Sequence, residues 1–393
     1  MRRNQLGVPL LVAAGFLCGL TSIAASKESE TLKIGSAAPA FSLPGVDGKT
    51  YTLDSFHDAE ILVIVFTCDH CPTAQAYEDR IKRLAADYKD KRVALVAISP
   101  NDPSAVRLDE MGYTDVGDSF DDMKLRAKDN EFNFPYLYDG ENQKVALAYG
   151  PVATPHVFVF DRSSKLRFVG RIDNSEDPLR VATHETRDAI EALLAGKPVA
   201  VEQTKVFGCS IKWAEKRDTA RKSDETWAKE EVPLISIDEQ GIRALVKNDG
   251  DKLRLVNVWA TWCGPCIEEL PELVAIDRMY RRRRFELVTI SADAPEAKDE
   301  ALKALKEKRV AASNYLFDGN DKYKLMDAVD EKAPGALPYT LLVAPGGKVL
   351  YRKSGPIDAL EIKKAIIGFL GRRTYADDVP AKSAPAAIKP RAH

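Results

Sequence analysis

Of the six cysteines in the chain, four fall into two C-x-x-C pairs, Cys68-Asp69-His70-Cys71 and Cys263-Gly264-Pro265-Cys266. Sulfurs at this spacing either exchange disulfides or bind a soft metal. Exchange needs a thiolate, and an ordinary cysteine, with a pKa of about 8.5, is mostly protonated at neutral pH. A helix amino terminus favours the anion through its unpaired N–H groups and the positive end of its dipole. Each pair follows an apolar run, ILVIVF at 61–66 and LRLVNVWA at 253–260, and precedes helical spacing at 77–88 and 268–280. Cys68 and Cys263 are therefore expected at helix starts as the attacking sulfurs. Cys71 and Cys266, one turn deeper, would resolve the mixed disulfide. Pro265 suits the first helical turn, where a missing N–H does little harm.

The elements around the two pairs repeat. Downstream come VALVAIS at 93–99 and FELVTIS at 285–291, then YLYDG at 136–140 and YLFDG at 315–319. Next come TPHVFVFDRSSKLRFVG from Thr154 and LPYTLLVAPGGKVLYRK from Leu337, each an X-Pro, an apolar run, a turn and a second strand. The same landmarks in the same order describe a duplicated fold. The Val/Ile/Leu-rich runs suit strands buried on both faces. The expected class is α/β: two central mixed sheets in tandem, flanked by helices. Zinc shared between the pairs is a poor fit, because the pairs are far apart and each sits between a strand and a helix. No metal and no cofactor are expected. Copper remains an alternative for the first pair, where Cys68, Cys71 and His70 are soft ligands.

Lys plus Arg number 57 and Asp plus Glu 59, a net charge of −2 that offers no footprint for nucleic acid. Arg2-Arg3, the apolar run LGVPLLVAAGFLCGL and the small residues Ser22, Ala24, Ala25 and Ser26 read as a secretory signal over 1–25. The mature protein is then secreted or periplasmic, where disulfides persist, and membrane-associated only if the signal stays uncleaved. The first repeat is placed at 31–200 and the second at 233–371. A charged linker is expected over 201–232, its charge-dense part (212–231) a solvated helix or linker, and a disordered Ala/Pro/Lys-rich tail over 372–393.

On these residues, each repeat resembles the thioredoxin-like fold. VNVWATWCGPCIEELPEL resembles the TlpA/ResA-like branch of extracytoplasmic thiol–disulfide oxidoreductases, including Glu269, Pro271 and Asn257. The first repeat resembles AhpC/TSA redoxins: GSAAPAFSLPGVDGKTYTL matches their leading hairpin, and FTCDHCPTAQAYEDR and FGCSIKW match a C-x-H-C-P branch. The resemblance implies disulfides Cys263–Cys266 and Cys68–Cys71, and cis-prolines at Pro155 and Pro338 facing the cysteines. Thr154 and Leu337 would then present free backbone to an extended substrate, with Trp262 as an apolar wall. It implies proton transfer by Glu269. His156 and Tyr339, next to the prolines, are expected mainly in strand packing.

The dipeptides between the cysteines are expected to tune the two sites apart. Gly264-Pro265 is the reducing thioredoxin dipeptide, at roughly −270 mV, whereas the oxidant DsbA lies at about −120 mV. A histidine between the cysteines is a feature of that oxidant, so His70 is expected to stabilise the Cys68 thiolate. Asp69 opposes it.

The expected activity is disulfide exchange with protein thiols and disulfides, each site being recycled by a further redox partner. Peroxide reduction in the first repeat, supported by the second, is the rival; Thr67 directly before Cys68 departs from the peroxiredoxin pattern. A binding module with structural disulfides is the non-enzymatic alternative. Cys209 is the odd cysteine, either buried packing, which burial statistics favour, or a third exchange partner reaching Cys68.

Overall fold

The computed structural model describes residues 30–140 and 142–372. The expected signal segment and nearly all of the expected tail lie outside them. In the first part, chain order runs β1 (Ser42–Pro44), β2 (Thr50–Thr52), β3 (Ile61–Phe66), α1 (Pro72–Tyr88) and β4 (Val93–Ser99). It continues through α2 (Phe120–Asp129), β5 (Tyr136–Tyr138), α3 (Lys144–Tyr149), β6 (Ala153–Thr154), β7 (His156–Phe160), β8 (Leu166–Gly170), α4 (Glu185–Leu194) and β9 (Cys209–Ser210). After α5 (Arg217–Trp227) come β10 (Ile235–Ile237), α6 (Glu239–Lys247), β11 (Leu253–Trp259), α7 (Gly264–Tyr280) and β12 (Phe285–Ser291). The last elements are α8 (Lys298–Glu307), β13 (Ser313–Phe317), α9 (Lys322–Val329), β14 (Tyr339–Val343), β15 (Val349–Ser354) and α10 (Ala359–Leu370).

The two main sheets share one topology. The first has the order β5-β4-β3-β7-β8, and the second β10-β13-β12-β11-β14-β15. In both, the strand leading to the cysteines lies at the centre, parallel to one neighbour (β3 with β4, β11 with β12) and antiparallel to the strand after the X-Pro. The registers correspond: Phe66 faces His156, and Val258 faces Tyr339. Every residue of β3 is buried, as is nearly all of β11, which is what apolar β-branched runs require between two helical layers. On α1, Tyr77, Ile81, Leu84 and Tyr88 form a helical stripe packed on β3 and β4. On α7, Leu270, Leu273, Ile276 and Tyr280 do the same in the second unit. The duplication legible in the sequence is a duplication of mixed α/β thioredoxin-like sheets.

The boundary between the units differs from expectation. Residues expected to open a linker instead belong to the first unit: Gln203 bridges Val169, β9 pairs with β6, and Ile211 is buried. The charge-dense stretch is a helix that is mostly exposed, with Ala220 buried, and it is tied down by a few contacts. Arg217 pairs with Asp102, and the guanidiniums of Arg278 and Arg281 lie 5.7 and 4.7 Å from the Trp227 ring centre. The units also touch directly. Leu108 and Met111 of the first pack against the core cluster that holds Cys263 and Cys266. Arg283 donates to the Gly112 and Gly371 carbonyls, and Arg372, at the start of the expected tail, binds Gln75 and Asp115.

Tyr280 is fully buried, and its hydroxyl donates to the Thr114 carbonyl at 2.6 Å, across this contact. Tyr280→Phe keeps the ring and orphans that buried carbonyl, so it should destabilise the chain by about 1–3 kcal/mol in denaturant unfolding. It should also hasten limited proteolysis between the units.

Candidate functional site

The two cysteine pairs sit differently on their helices. In the second unit Cys263 is the N-cap of α7, and Cys266 lies in the first turn. Their sulfurs form the expected disulfide, with Cα atoms 5.3 Å apart. Both cysteines are buried, while the neighbouring Trp262 is 62% exposed. Leu337 packs on the core cluster that holds both sulfurs, and the Leu337–Pro338 bond is cis. Beyond its chain neighbours and its own helix backbone, a Cβ at Gly264 would meet no atom within 4 Å. Glu269 is buried, not a surface glutamate. Its carboxylate accepts from Asn257 Nδ2 at 2.8 Å and from the Ile357 backbone N–H at 3.0 Å. Burial pushes its pKa above the ordinary carboxylate value, against those two bonds.

In the first unit the helix starts later. Its N-cap is Cys71, whose sulfur accepts from the Ala74 N–H, and Pro72 follows at the first helical turn. A residue before proline is driven out of the helical region, and Cys71 has ψ 119°. Cys68 therefore lies in the preceding loop, off the helix end. The expected Cys68–Cys71 disulfide is also absent from the structure: Cys71 is bonded to Cys209, their Cα atoms 6.0 Å apart, and Cys68 is a buried free thiol. Capping turns the Cys71 sulfur to the helix end, within reach of β9. Thus Cys209 is neither idle packing nor a partner of Cys68 in this state.

What surrounds Cys68 is a charged chain in place of a helix end. His70 is 2% exposed, and its Nδ1 is 2.6 Å from Asp118 Oδ2. The Cys68 sulfur, a His70 ring nitrogen and an Asp118 oxygen all lie within 4.8 Å of one another. Asp118 accepts further bonds from the Asp69 and His70 N–H groups and from Asn101 Nδ2. Burial works against its charge, yet the His70 charge and these bonds hold its pKa at about 2. Burial also opposes a charged His70, but Asp118 and Cys68 hold that imidazole well above its ordinary value. Burial, and then Asp118, push the Cys68 thiol up, while His70 and the Thr154 hydroxyl, 3.1 Å away, pull it down. The histidine acts in the expected direction but against larger opposition than the sequence suggested.

Asp69, expected to oppose it, is itself buried. Burial and the Asp118 charge push its carboxyl far above the ordinary range, and the Tyr136 hydroxyl donates to it. In its protonated form Asp69 adds no negative charge beside Cys68. The three atoms of Cys68, His70 and Asp118 have the spacing of a metal-binding set, but two of them are already joined as an ion pair.

The Thr154–Pro155 bond is cis. Thr154 was expected to leave its backbone open to a substrate; instead it pairs with Cys209. His156 is buried in β7 against Phe158, and burial pulls its pKa to about 3. Tyr339 is buried too, with its hydroxyl on Asp330. Both serve packing. Asp118 and Asn101 went unseen in the sequence because neither lies near a cysteine in the chain. The Cys71–Cys209 bond had one sequence signal, the odd cysteine directly after Gly208.

The AhpC/TSA family model matches residues 34–169 and 230–352. The thiol:disulfide interchange protein HelX of Rhodobacter capsulatus is 31% identical over 144 residues, covering 35% of this chain and 74% of its own. The thiol-disulfide oxidoreductase ResA of Bacillus cereus is 24% identical over 153 residues, covering 37% and 78%. Among solved structures, an uncharacterized conserved protein from Geobacillus kaustophilus is 38% identical, covering 47% of this chain and 95% of its own at TM-score 0.42.

Two outcomes test the charged chain. His70→Ala should raise the Cys68 pKa by about 1–3, read from thiolate ultraviolet absorbance against pH. Asp118→Asn removes a carboxylate held at about 2 rather than 3.8. Because that pKa is depressed on folding, its stabilisation, about 2 kcal/mol, is present above pH 4 and lost as pH falls towards 2. Acid unfolding of the variant should lack that component. The His70 shift describes the same pair and is not added to it.

Proposed function

The chain belongs to the AhpC/TSA family, and from that premise we propose that it is an extracytoplasmic thiol–disulfide oxidoreductase acting on protein substrates through both cysteine sites. The observation that carries the reading is the Cys263–Cys266 disulfide at the amino terminus of α7, beside an exposed Trp262. Similarity to proteins named for thiol–disulfide interchange supports it. The signal-like start of the sequence supports the location, and among the described residues no helix is long and apolar enough to cross a membrane.

In the reduced second site, the Cys263 thiolate attacks a substrate disulfide, forming a Cys263–substrate disulfide, and one substrate sulfur leaves as a thiolate that takes a proton from water. Cys266 then gives its proton to the Glu269 carboxylate and attacks the Cys263–substrate bond. The Cys263–Cys266 disulfide forms, and the substrate leaves carrying two electrons. The raised pKa of Glu269 suits a proton acceptor, and Asn257 fixes its orientation. Trp262 and the Leu337 segment give the substrate chain an apolar surface. A separate redox partner returns each site to its starting state. The Cys68–His70–Asp118 chain serves the first site, where a charge pair takes over the role that the helix end has in the second.

Insulin reduction by the full chain with a thiol reductant tests the reading. Cys263→Ser should abolish turnover by the second site, and Cys266→Ser should accumulate mixed disulfides with the substrate, visible on non-reducing gels. Undiminished turnover in Cys263→Ser that persists with Cys68→Ser added would overturn it.

A further inference from the structure

Cys209 lies where an incoming substrate would lie. Its strand β9 runs antiparallel to β6, with Cys209 opposite Thr154, the residue before Pro155. An extended segment adding to a free backbone edge is a general mode of peptide capture, and here the segment comes from the same chain. Gly208 permits the approach. It has φ +148°, and a Cβ there would collide with the Thr154 carbonyl. Both flanks are tied down. The Phe207 ring lies 6.2 Å from that of Tyr77, and Ile211 is buried. The Lys212 N–H donates to Asn101 Oδ1 at 2.9 Å, and the same Asn101 donates to Asp118.

Three sulfurs therefore meet at one residue. Cys71 is bonded to Cys209 and lies 3.7 Å from the Thr154 carbonyl oxygen, while the free Cys68 thiol touches the Thr154 hydroxyl. A free thiol packed against a disulfide, with an imidazole and a carboxylate behind it, is a reactant set for internal exchange. Nothing in the second unit's site corresponds to it, because there both cysteines are paired with each other.

We propose that Cys209 is a third redox-active cysteine of the first site, carried on an internal strand that occupies the substrate edge at Thr154. This rests on the reading of the first site as an exchange site and adds how that site is covered and uncovered. In the thiolate–imidazolium form, the proton of Cys68 sits on His70. The Cys68 thiolate attacks the Cys71 sulfur; the Cys68–Cys71 bond forms, the Cys71–Cys209 bond breaks, and Cys209 leaves as a thiolate that takes the proton from His70. One disulfide replaces another, so no outside oxidant or reductant is consumed. The product is an oxidised C-x-x-C pair with β9 no longer tethered, so a substrate strand can replace it at Thr154. The reverse step closes the site.

The test uses the full chain with Cys263→Ser and Cys266→Ser, so that the first site alone reports. It is equilibrated in glutathione buffers and acid-trapped, and its disulfides are mapped by peptide mass spectrometry. Peptides carrying Cys71–Cys209 and Cys68–Cys71 should both be found. Gly208→Ala keeps all the first-site cysteines but unseats β9, and should move the ratio towards Cys68–Cys71 by at least about fivefold. Cys209→Ser should hold Cys68–Cys71 as its oxidised form, which keeps the test decisive if Gly208→Ala does not fold. Cys71–Cys209 alone in the parent and in Gly208→Ala, or two free thiols at Cys68 and Cys71 in oxidised Cys209→Ser, would make Cys209 a static cystine and overturn the proposal. Insulin turnover by the unsubstituted chain reads the proposed function separately. If it is absent while the disulfide ratio still shifts, the function reading fails and internal exchange stands.

Discussion

Proline donates no backbone hydrogen bond and keeps the residue before it out of the helical conformation, and the position of one proline separates the two sites. In the second unit the proline lies between the cysteines. Gly264, with no Cβ to meet the adjoining Pro265 ring, takes the first helical position ahead of it, and Cys263 caps the helix. In the first unit the proline follows the second cysteine, so the cap passes to Cys71. Cys68 is left in a buried loop without a helix end, and its sulfur must find stabilisation elsewhere. The ion pair of His70 and Asp118 and the hydroxyl of Thr154 occupy that place.

The substitution has a cost. A buried charge pair must overcome the desolvation of both partners, and it does so only with good geometry and full hydrogen bonding. Asp118 meets that condition: two backbone N–H groups, the imidazole and the Asn101 amide all point at its two oxygens. The bonds to the Asp69 and His70 backbone also fix the loop between the cysteines. One carboxylate thus shapes the loop and charges the imidazole. The second unit needs neither: its buried carboxylate, Glu269, lies on α7 itself, bonded to Asn257 and raised in pKa by burial.

The fold was legible in the sequence because its signals are local and repeated. The apolar runs before each cysteine pair, the Ile-Ser strand ends and the X-Pro runs each mark a strand, and duplication makes each copy a check on the other. The second site was legible for the same reason: WCGPC, Glu269, Asn257 and the Leu337-Pro338 step all sit in contiguous motifs. The first was legible only in part. Cys68, His70 and Cys71 stand in one motif, but Asp118 arrives from a loop beyond β4 and Cys209 from a segment beyond α4. Neither position carries a periodicity that says where it will pack. The expected linker failed for a similar reason, since Lys212 looks like one more surface charge until its backbone N–H meets Asn101 and its ammonium meets Glu110.

Asn101 joins these observations. Its amide nitrogen donates to the carboxylate that charges His70, and its amide oxygen accepts from the Lys212 N–H, three residues past Cys209. The segment that covers Thr154 and the carboxylate behind the imidazole therefore share one buried side chain. A displacement of β9 that carries Lys212 with it frees the Asn101 oxygen, and a buried amide left half-paired tends to rotate towards a new partner. Rotation would withdraw a donor from Asp118 and weaken its hold on the His70 proton. The strand and the chain behind Cys68 thus share a contact that no cysteine makes.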